Sequence, residues 1–342
     1  MLIQTFQNGK YIVERSFDSG RFTTSYLAKK SDGERWIVKV LNPQILAGLA
    51  SEEKDRRESL FWQEAIKLSK CSKNPHIAKV GMPFKEDDFI CLPIEYFAGN
   101  SLAERPERCL TEQVALNYIR QIGDALDAVH REGFVHCDVC PENIHLRIRK
   151  GNVEAVLTNF ELAIDSNTEL SRTRTRERTD GYSPIELYSR FDKTGQRIGA
   201  YTDVYSLAAT LYQLLTGEAP CSAEKRIAKG KGKDELIAPQ SKNSAISGKV
   251  NDAIIKGMKI FAYERPQSVK DWVSKLDIKL DSQKKIQSRM PDWDKWQAYI
   301  AILTAFITLL VGVPAFFDIF LHRQQPAEPS SPPSNPSQSG SP

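Results

Sequence analysis

The stretch HCDVCPENIHL, residues 136–146, combines a carboxylate, an amide and two cysteines in a way that is typical of a reactive enzyme loop. Asp138 can accept a proton, and Asn143 offers an amide oxygen to a metal ion. Cys137 and Cys140 form a C-x-x-C pair on either side of Asp138. The stretch predicts a functional site, and the sequence around it indicates which chemistry that site would serve.

The sequence before this stretch predicts a unit rich in β-strands, from residue 11 to about residue 96. Short runs of β-branched and aromatic residues alternate with turn signals such as SDG (31–33) and EDD (86–88). One segment, 52–72, instead repeats its apolar residues at helical spacing. The predicted strands are YIVERSF (11–17), TTSYLAKK (23–30), RWIVKVL (35–41), IAKVGMPF (77–84) and FICLPIEYF (89–97).

Helices dominate the predicted structure from residue 97 to about residue 278. In EQVALNYIRQIGDALDAVHREG (112–133), apolar residues recur at helical spacing and form one face. DVYSLAATLYQLLTG (203–217) is apolar nearly all round, which is typical of a buried helix, and Gly217 suits its C-terminal end. A β-rich small lobe, 11–96, followed by a helical large lobe, 97–278, predicts an α+β fold with two lobes.

Several motifs, in this order along the chain, make the sequence similar to protein kinases, and to bacterial membrane-anchored Ser/Thr kinases in particular. The resemblance covers roughly residues 11–278 and implies a two-lobed protein kinase-like fold. The motifs that carry it are WIVKV (36–40), FWQEAIKL (61–68), PIEYFAGNSL (93–102), HCDVCPEN (136–143), TNFELA (158–163), GYSPIELY (181–188), YTDVYSLAATLYQLLTG (201–217) and YERPQS (263–268).

The resemblance implies catalytic roles for three residues and metal-binding roles for two. Lys39 would grip ATP and pair with Glu64, and Asp138 would accept the proton of the substrate hydroxyl. Asn143 and, more weakly, Asn159 would ligate Mg²⁺. ATP and Mg²⁺ are therefore the expected cofactors, with weak or absent binding as an alternative.

The resemblance also implies residues that bind the nucleotide without reacting. The hinge backbone from Glu95 to Phe97 would face adenine, Asn143 and Lys39 would lie at the phosphate end, and Gly20 would belong to the glycine-rich loop. Structural roles fall to His136, Glu186, Asp203 and Arg265, with Arg265 as the ion partner of Glu186.

The glycine-rich loop departs from the family pattern. In FDSGRFTTSYLA (17–28), only Gly20 occupies one of the three glycine positions, and the other two hold Asp18 and Thr23. The loop backbone must approach the phosphates closely, and Asp18 adds a repulsive negative charge. Ile37 replaces a smaller residue beside the adenine site and is expected to crowd it.

The metal-binding motif departs as well, because Asn159 stands where an aspartate is usual and Mg²⁺ prefers carboxylate ligands. Glu161 replaces a glycine two residues later. Glu161 is either a substitute ligand or a residue that stiffens a backbone segment that normally moves. The second interpretation is simpler, because a substitute ligand needs a specific geometry.

Both cysteines of the loop replace cations. Cys137 stands where an arginine would pair with a phosphorylated activation loop, and Cys140 stands where a lysine would steady the γ-phosphate. The C-x-x-C spacing beside His136 also suits a redox pair or half of a metal site. Two independent losses of a cation are the simpler explanation.

These residues are compatible with two functions. The first is a signalling protein with a kinase fold whose catalysis is impaired, a pseudokinase that acts by binding a protein partner. The second is an active but atypical Ser/Thr kinase that transfers the ATP γ-phosphate to protein hydroxyls. Asp138, Lys39 and Glu64 favour the second, whereas the altered loop, Asn159 and Cys140 favour the first.

The C-terminal part predicts a membrane anchor. The run from Gln297 to Phe317 carries no charge and is long enough to span a bilayer as a helix. A buried helix of a soluble core is the alternative. We expect a linker at 279–296, one transmembrane helix at 297–321 and a disordered Pro/Ser-rich tail at 322–342.

Flanking charge predicts the orientation of this anchor in the cell (inner) membrane. The linker carries Lys284, Lys285, Arg289 and Lys295, whereas only Arg323 follows the run closely. The positive-inside rule then places the N-terminal domain in the cytoplasm and the tail outside. No cleaved signal peptide is expected, because the N-terminus lacks a long apolar run.

The composition of the chain argues against a nucleic-acid partner. The formal net charge of +4 argues against nucleic-acid binding, and the six scattered cysteines indicate reduced thiols.

SRTRTRERT (171–179) is either a solvated basic loop or a phosphorylation target, in which Thr173, Thr175 and Thr179 would pair with neighbouring arginines once phosphorylated.

Overall fold

A six-stranded antiparallel sheet forms the small lobe, with strand order β1-β2-β3-β4-β6-β5. The structure, a computed structural model, describes residues 4–17, 22–149, 151–166, 179–188, 197–228 and 234–276. The strands are β1 (Thr5–Phe6), β2 (Tyr11–Phe17), β3 (Thr23–Lys30), β4 (Arg35–Leu41), β5 (Phe84–Glu86) and β6 (Phe89–Glu95), and the helices of this lobe are α1 (Pro43–Ala47) and α2 (Ser51–Cys71).

Most of the strands predicted from the sequence are confirmed. β2, β3 and β4 have the predicted bounds, and β6 begins at Phe89 as predicted but ends at Glu95. The predicted strand IAKVGMPF is wrong, since this segment makes only isolated bridges and a strand starts at its last residue, Phe84. The pairing of this segment is divided between two partners, Leu157 at Ile77 and Ile94 at Val80, so no continuous ladder forms.

Alternation along β4 gives the sheet two different faces. Val38 and Val40 point into a core with Phe6 and Tyr11. Lys39, between them, points to the opposite face, on which α2 packs. A buried face on each side explains why β4 has few polar residues, and it places Lys39 beside the helix that carries Glu64.

The large lobe is mainly helical, as predicted. The face of α3 that the spacing predicted is fully buried, and α4 is buried nearly all round and ends at Gly217, whose φ of 77° suits glycine. Together with the sheet, these helices confirm the α+β, protein kinase-like fold. The helices are α3 (Glu112–Arg131), α4 (Ala200–Thr216), α5 (Ala223–Ala228), α6 (Pro239–Lys242), α7 (Gly248–Gly257) and α8 (Val269–Ser274).

Two short antiparallel pairs carry the loops of the site, and the sequence did not predict them. β7 (Phe134–Val135) pairs with β10 (Ile164–Asp165), and β8 (Ile144–Arg149) pairs with β9 (Asn152–Leu157). The stretch HCDVCPENIHL follows β7 and enters β8, and the TNFELA motif lies between β9 and β10. The two pairs therefore bring both motifs to one end of the large lobe.

A fully buried ion pair connects Glu186, which precedes α4 in the chain, with Arg265, which follows it. The Arg265 guanidinium donates to both carboxylate oxygens of Glu186, at 2.6 and 3.0 Å, and both side chains are 0% exposed. Arg265 also donates to the backbone carbonyls of Lys259, Ile260 and Tyr201. The structure thus brings the predicted pair together with every polar group engaged, as burial of charge requires.

The C-terminal predictions lie outside the described residues. Within the part of the chain that the structure describes, no helix combines the length and apolar character needed to cross a bilayer. The predicted linker (279–296), transmembrane helix (297–321) and tail (322–342) are not among those residues.

Replacing Arg265 with alanine is expected to lower the free energy of unfolding by about 3–5 kcal/mol, because Glu186 would remain buried without a charged partner. Urea denaturation followed by fluorescence measures this change. Arg35→Ala is the control, since Arg35 pairs with Glu14 at 2.9 Å on the surface and should cost at most about 1 kcal/mol. Equal losses in the two variants would contradict the assigned role of the buried pair.

Candidate functional site

Lys39 and Glu64 meet between the sheet and α2. The Lys39 Nζ atom lies 2.9 Å from Glu64 Oε2 and 3.2 Å from Glu64 Oε1. The Glu64 side chain is only 1% exposed, so its charge depends on this partner. The structure therefore brings the two residues together as the resemblance implied, while their part in catalysis stays a prediction.

Glu161 is a second carboxylate on the same lysine, and the sequence analysis did not predict this contact. Glu161 Oε2 lies 3.3 Å from Lys39 Nζ, and the Glu161 side chain is 40% exposed. Burial by itself lowers the pKa of Lys39, but Glu64 and Glu161 outweigh burial and raise it above its usual value. Lys39 is therefore charged and lies between two carboxylates.

The loop that holds Asp138 is anchored by the buried carboxylate of Asp203. Its oxygens accept the backbone N–H groups of His136 and Cys137, both at 2.9 Å, and His130 Nε2 lies 2.7 Å away. Cys137 has a φ of 66°, in the left-handed region that non-glycine residues rarely adopt. The bonds to Asp203 compensate for that backbone strain, which is of the kind found at functional sites.

Asp138 is oriented by two neighbours. Asn143 Nδ2 donates to Asp138 Oδ2 at 2.7 Å and to the Asp138 carbonyl at 2.8 Å. Thr179 Oγ1 donates to Asp138 Oδ1 at 2.8 Å. Because both of its oxygens accept hydrogen bonds, the Asp138 carboxylate has a fixed orientation and is well placed to accept a further hydrogen bond from an incoming hydroxyl. The Thr179 hydroxyl already donates to one of the two oxygens, Oδ1.

Asn143 and Asn159, the predicted metal ligands, contact each other. Asn159 Nδ2 donates to Asn143 Oδ1 at 3.1 Å, and Asn159 has a φ of 59°, a conformation that asparagine tolerates. The donor set does not fit Mg²⁺ well, because both side chains are amides and one ligand oxygen is already hydrogen-bonded. In the described ranges, no group of three or more His, Cys, Asp and Glu side chains gathers as a metal site.

Cys137 and Cys140 are both buried, and neither forms a disulfide. Burial, followed by the nearby carboxylates, raises the pKa of both thiols, so the thiolate that redox exchange requires is disfavoured. The redox pair stays a prediction, and this environment favours the simpler explanation of two lost cations. The charges that act on Cys140 are those of Asp138 and Glu142, both negative.

The predicted hinge is bound to the large lobe through side chains. Arg147 of β8 donates to Glu95 at 2.9 Å and to Glu154 of β9 at 3.2 Å. The Phe97 ring stacks on His145, with ring centroids 5.4 Å apart. The Glu95 N–H bonds to the Lys79 carbonyl at 2.9 Å, so this backbone donor is used inside the protein.

Some predicted residues are not described, and the contact of Thr179 with Asp138, like that of Glu161 with Lys39, was missed. Gly20, Asp18, Thr173 and Thr175 lie outside the described residues. Thr179 is described, and its hydroxyl binds Asp138. The sequence offered no signal to single out Thr179, because each of the three threonines follows an arginine.

Comparison with known proteins agrees with this fold. Residues 11–286 match the Protein kinase domain family, and the chain therefore belongs to the protein kinase family. Members of this family generally use ATP and Mg²⁺ and act on protein substrates.

Two of the similar proteins are bacterial Ser/Thr kinases. The chain is 26% identical over 294 residues to the probable serine/threonine-protein kinase CPE1738 of Clostridium perfringens, and equally to PrkC of Bacillus subtilis. Each match covers 84% of this chain but only 41% and 43% of those relatives. The crystal structure of the PknI kinase domain of Mycobacterium tuberculosis superposes with a TM-score of 0.58 at 20% identity, covering 81% of this chain and 98% of that one, which shows the shared fold.

Acid should destabilise the protein, because burial lowers the pKa of both His136 and His145. Below pH 6.5, their ordinary value, the unfolded chain binds protons that the folded chain rejects. The free energy of unfolding should therefore fall from about pH 6.5 downward, by up to about 1.4 kcal/mol per pH unit for each histidine. Urea denaturation between pH 7.5 and 5.5 measures the slope.

His145→Phe is the matched variant for this measurement, because it retains an aromatic ring beside Phe97 and removes one titrating group. Its slope should be shallower than that of the wild type. An increase in stability toward pH 5.5 would be inconsistent with two neutral buried histidines.

Proposed function

We propose that the protein is a membrane-anchored, Ser/Thr protein kinase-like signalling protein whose phosphoryl transfer is impaired and which acts by binding a protein partner. One observation carries the proposal most directly. The two residues that would hold the metal, Asn143 and Asn159, are amides that bond to each other at 3.1 Å. This pair supplies no negative charge for a divalent cation.

The electrostatics of the loop support the same proposal. Phosphoryl transfer depends on positioning and on neutralising negative charge in the transition state. Cys140 supplies no cation, and the charges acting on it belong to Asp138 and Glu142. Lys39 is already engaged by Glu64 and Glu161. We therefore infer weak ATP binding that gains little from Mg²⁺.

An active but atypical kinase is the second candidate, and two contacts favour it. Lys39 and Glu64 form the expected ion pair, and Asp138 is oriented by Asn143 and Thr179. In that case the substrate would be a protein hydroxyl, and another cation would have to replace the missing charge. Turnover of ATP separates the two candidates.

Restoring the missing charges should restore turnover. Asn159→Asp adds a carboxylate and removes the amide donor from Asn143 Oδ1, and Cys140→Lys adds a cation beside Asp138. One such contact is worth about 10²–10³ in rate, so the double variant should exceed the wild type by at least ~100-fold. Radiolabelled ATP with a generic protein substrate measures the rate, and the two effects should be coupled because they act on one phosphate group.

Asp138→Ala in the double variant is the control and should abolish the gain. A wild type that is already fast, with a double variant that is no faster, would contradict the proposed impairment and support the atypical kinase. If both proteins are inactive, the limiting defect lies outside these two charges.

The membrane anchor is tested separately. The full chain should remain with membranes after a salt wash, whereas residues 1–290, which lack the apolar run from Gln297 to Phe317, should be released. A C-terminal reporter that is active only outside the cytoplasm should work, because the basic flank at 284–295 should stay in the cytoplasm. Release of the full chain by salt, or activity of a cytoplasm-only reporter, would refute the anchor or its orientation.

A further inference from the structure

The Lys39 ammonium has no spare donor for a phosphate group. An ammonium has three N–H donors, and three carboxylate oxygens lie within hydrogen-bond distance of this one. They are Glu64 Oε1 at 3.2 Å, Glu64 Oε2 at 2.9 Å and Glu161 Oε2 at 3.3 Å. A phosphate that binds Lys39 must first displace one of these oxygens.

We propose that Glu161 is a specificity-determining residue of the cleft, which competes with phosphate groups for Lys39 and thereby disfavours nucleotides relative to the uncharged nucleoside. The proposal rests on the proposed kinase-like cleft and assigns a selectivity to it. It differs from both roles that the sequence suggested for Glu161, since the carboxylate binds the lysine.

Burial identifies Glu161 as the carboxylate that would have to leave. Glu64 is 1% exposed, and separating it from Lys39 would strand a buried charge. Glu161 is 40% exposed, so water can solvate its carboxylate once it moves away. The competition is therefore between Glu161 and the phosphate, with the Lys39–Glu64 pair intact in both states.

The backbone around Glu161 is held firmly enough for one side chain to matter. Phe160 is 0% exposed and packs against the His136 ring, with centroids 4.8 Å apart. The Ala163 N–H donates to the Phe160 carbonyl at 3.1 Å, and Lys67 donates to the Ala163 carbonyl. These contacts fix the turn that presents Glu161 to Lys39.

The net charge around Lys39 also disfavours the binding of a phosphate group. One ammonium faces two carboxylates, so this part of the cleft is already negative before a ligand arrives. The polyphosphate of ATP adds further negative charge next to Glu161, whereas adenosine adds none. The contribution of Glu161 should therefore appear in ATP binding and be absent from adenosine binding.

Isothermal titration of the full chain with ATP and with adenosine, both in EDTA, tests the proposal. Glu161→Gln removes the charge at nearly constant shape, and Glu161→Ala removes the carboxylate altogether. Both variants should bind ATP about tenfold more tightly, and partial exposure of Glu161 keeps the effect from being larger. Affinity for adenosine should change less than about twofold, since no charge is involved. Glu14→Gln, which removes an exposed carboxylate that pairs with Arg35, is the matched control and should change neither affinity.

Unchanged ATP affinity in both variants, or an equal rise for ATP and adenosine, would overturn the role of Glu161 and leave the proposed function standing. Failure of all proteins to bind either ligand would also overturn the role of Glu161, because the cleft would then be closed to nucleosides. ATP turnover with Mg²⁺, measured on the same samples, tests the proposed function independently. Wild-type turnover as fast as that of the Asn159→Asp/Cys140→Lys variant would refute the impairment, whatever the titrations show.

Discussion

The carboxylate of Asp203, buried in α4, organises the site. It accepts the N–H groups of His136 and Cys137, and these bonds allow Cys137 to adopt its left-handed conformation. That conformation sets the direction of the chain into Asp138, which in turn is bonded to Asn143 and Thr179. Hydrogen bonds and the backbone segment 136–138 therefore connect the core of the large lobe with the cleft, and this connection depends on one charge that burial alone would disfavour.

The ion pairs that stabilise the fold have both partners in place. The residues that would neutralise the charge of a phosphate group, in contrast, differ from the family pattern. Glu186 and Arg265 satisfy each other inside the core, and Lys39 pairs with Glu64. In contrast, Asn159 supplies no charge, Cys140 supplies no cation, and Glu161 adds a carboxylate. Packing and internal ion pairs stabilise a kinase fold independently of the charges that transfer a phosphoryl group. Membership of the family therefore establishes the architecture, and the activity has to be argued from the site.

Local patterns in the sequence predicted most of the fold. The β-branched and aromatic residues in TTSYLAKK and RWIVKVL, together with the turn signal between the two runs, predicted β3 and β4 to the residue, because such side chains suit a strand. The prediction failed at IAKVGMPF because Ile77 bridges to Leu157 and Val80 bridges to Ile94, and these two distant partners have no trace in the segment itself. β7 and β10 were missed because two-residue strands carry no periodic signal, whereas β8 and β9 have six residues each and lie in a region that was predicted to be mainly helical.

The sequence by itself determined which residues could meet at the site, because the resemblance of its motifs to those of protein kinases identified Lys39, Glu64, Asp138, Asn143 and Asn159. Only the tertiary structure decided which partner each of them took. Glu161 reaches Lys39 across 122 residues and Thr179 reaches Asp138 across 41. Such contacts depend on the path of the backbone and on which donors are already bonded. A hydrogen bond is decided within a few tenths of an ångström, and no pattern of residue types resolves distances of that size.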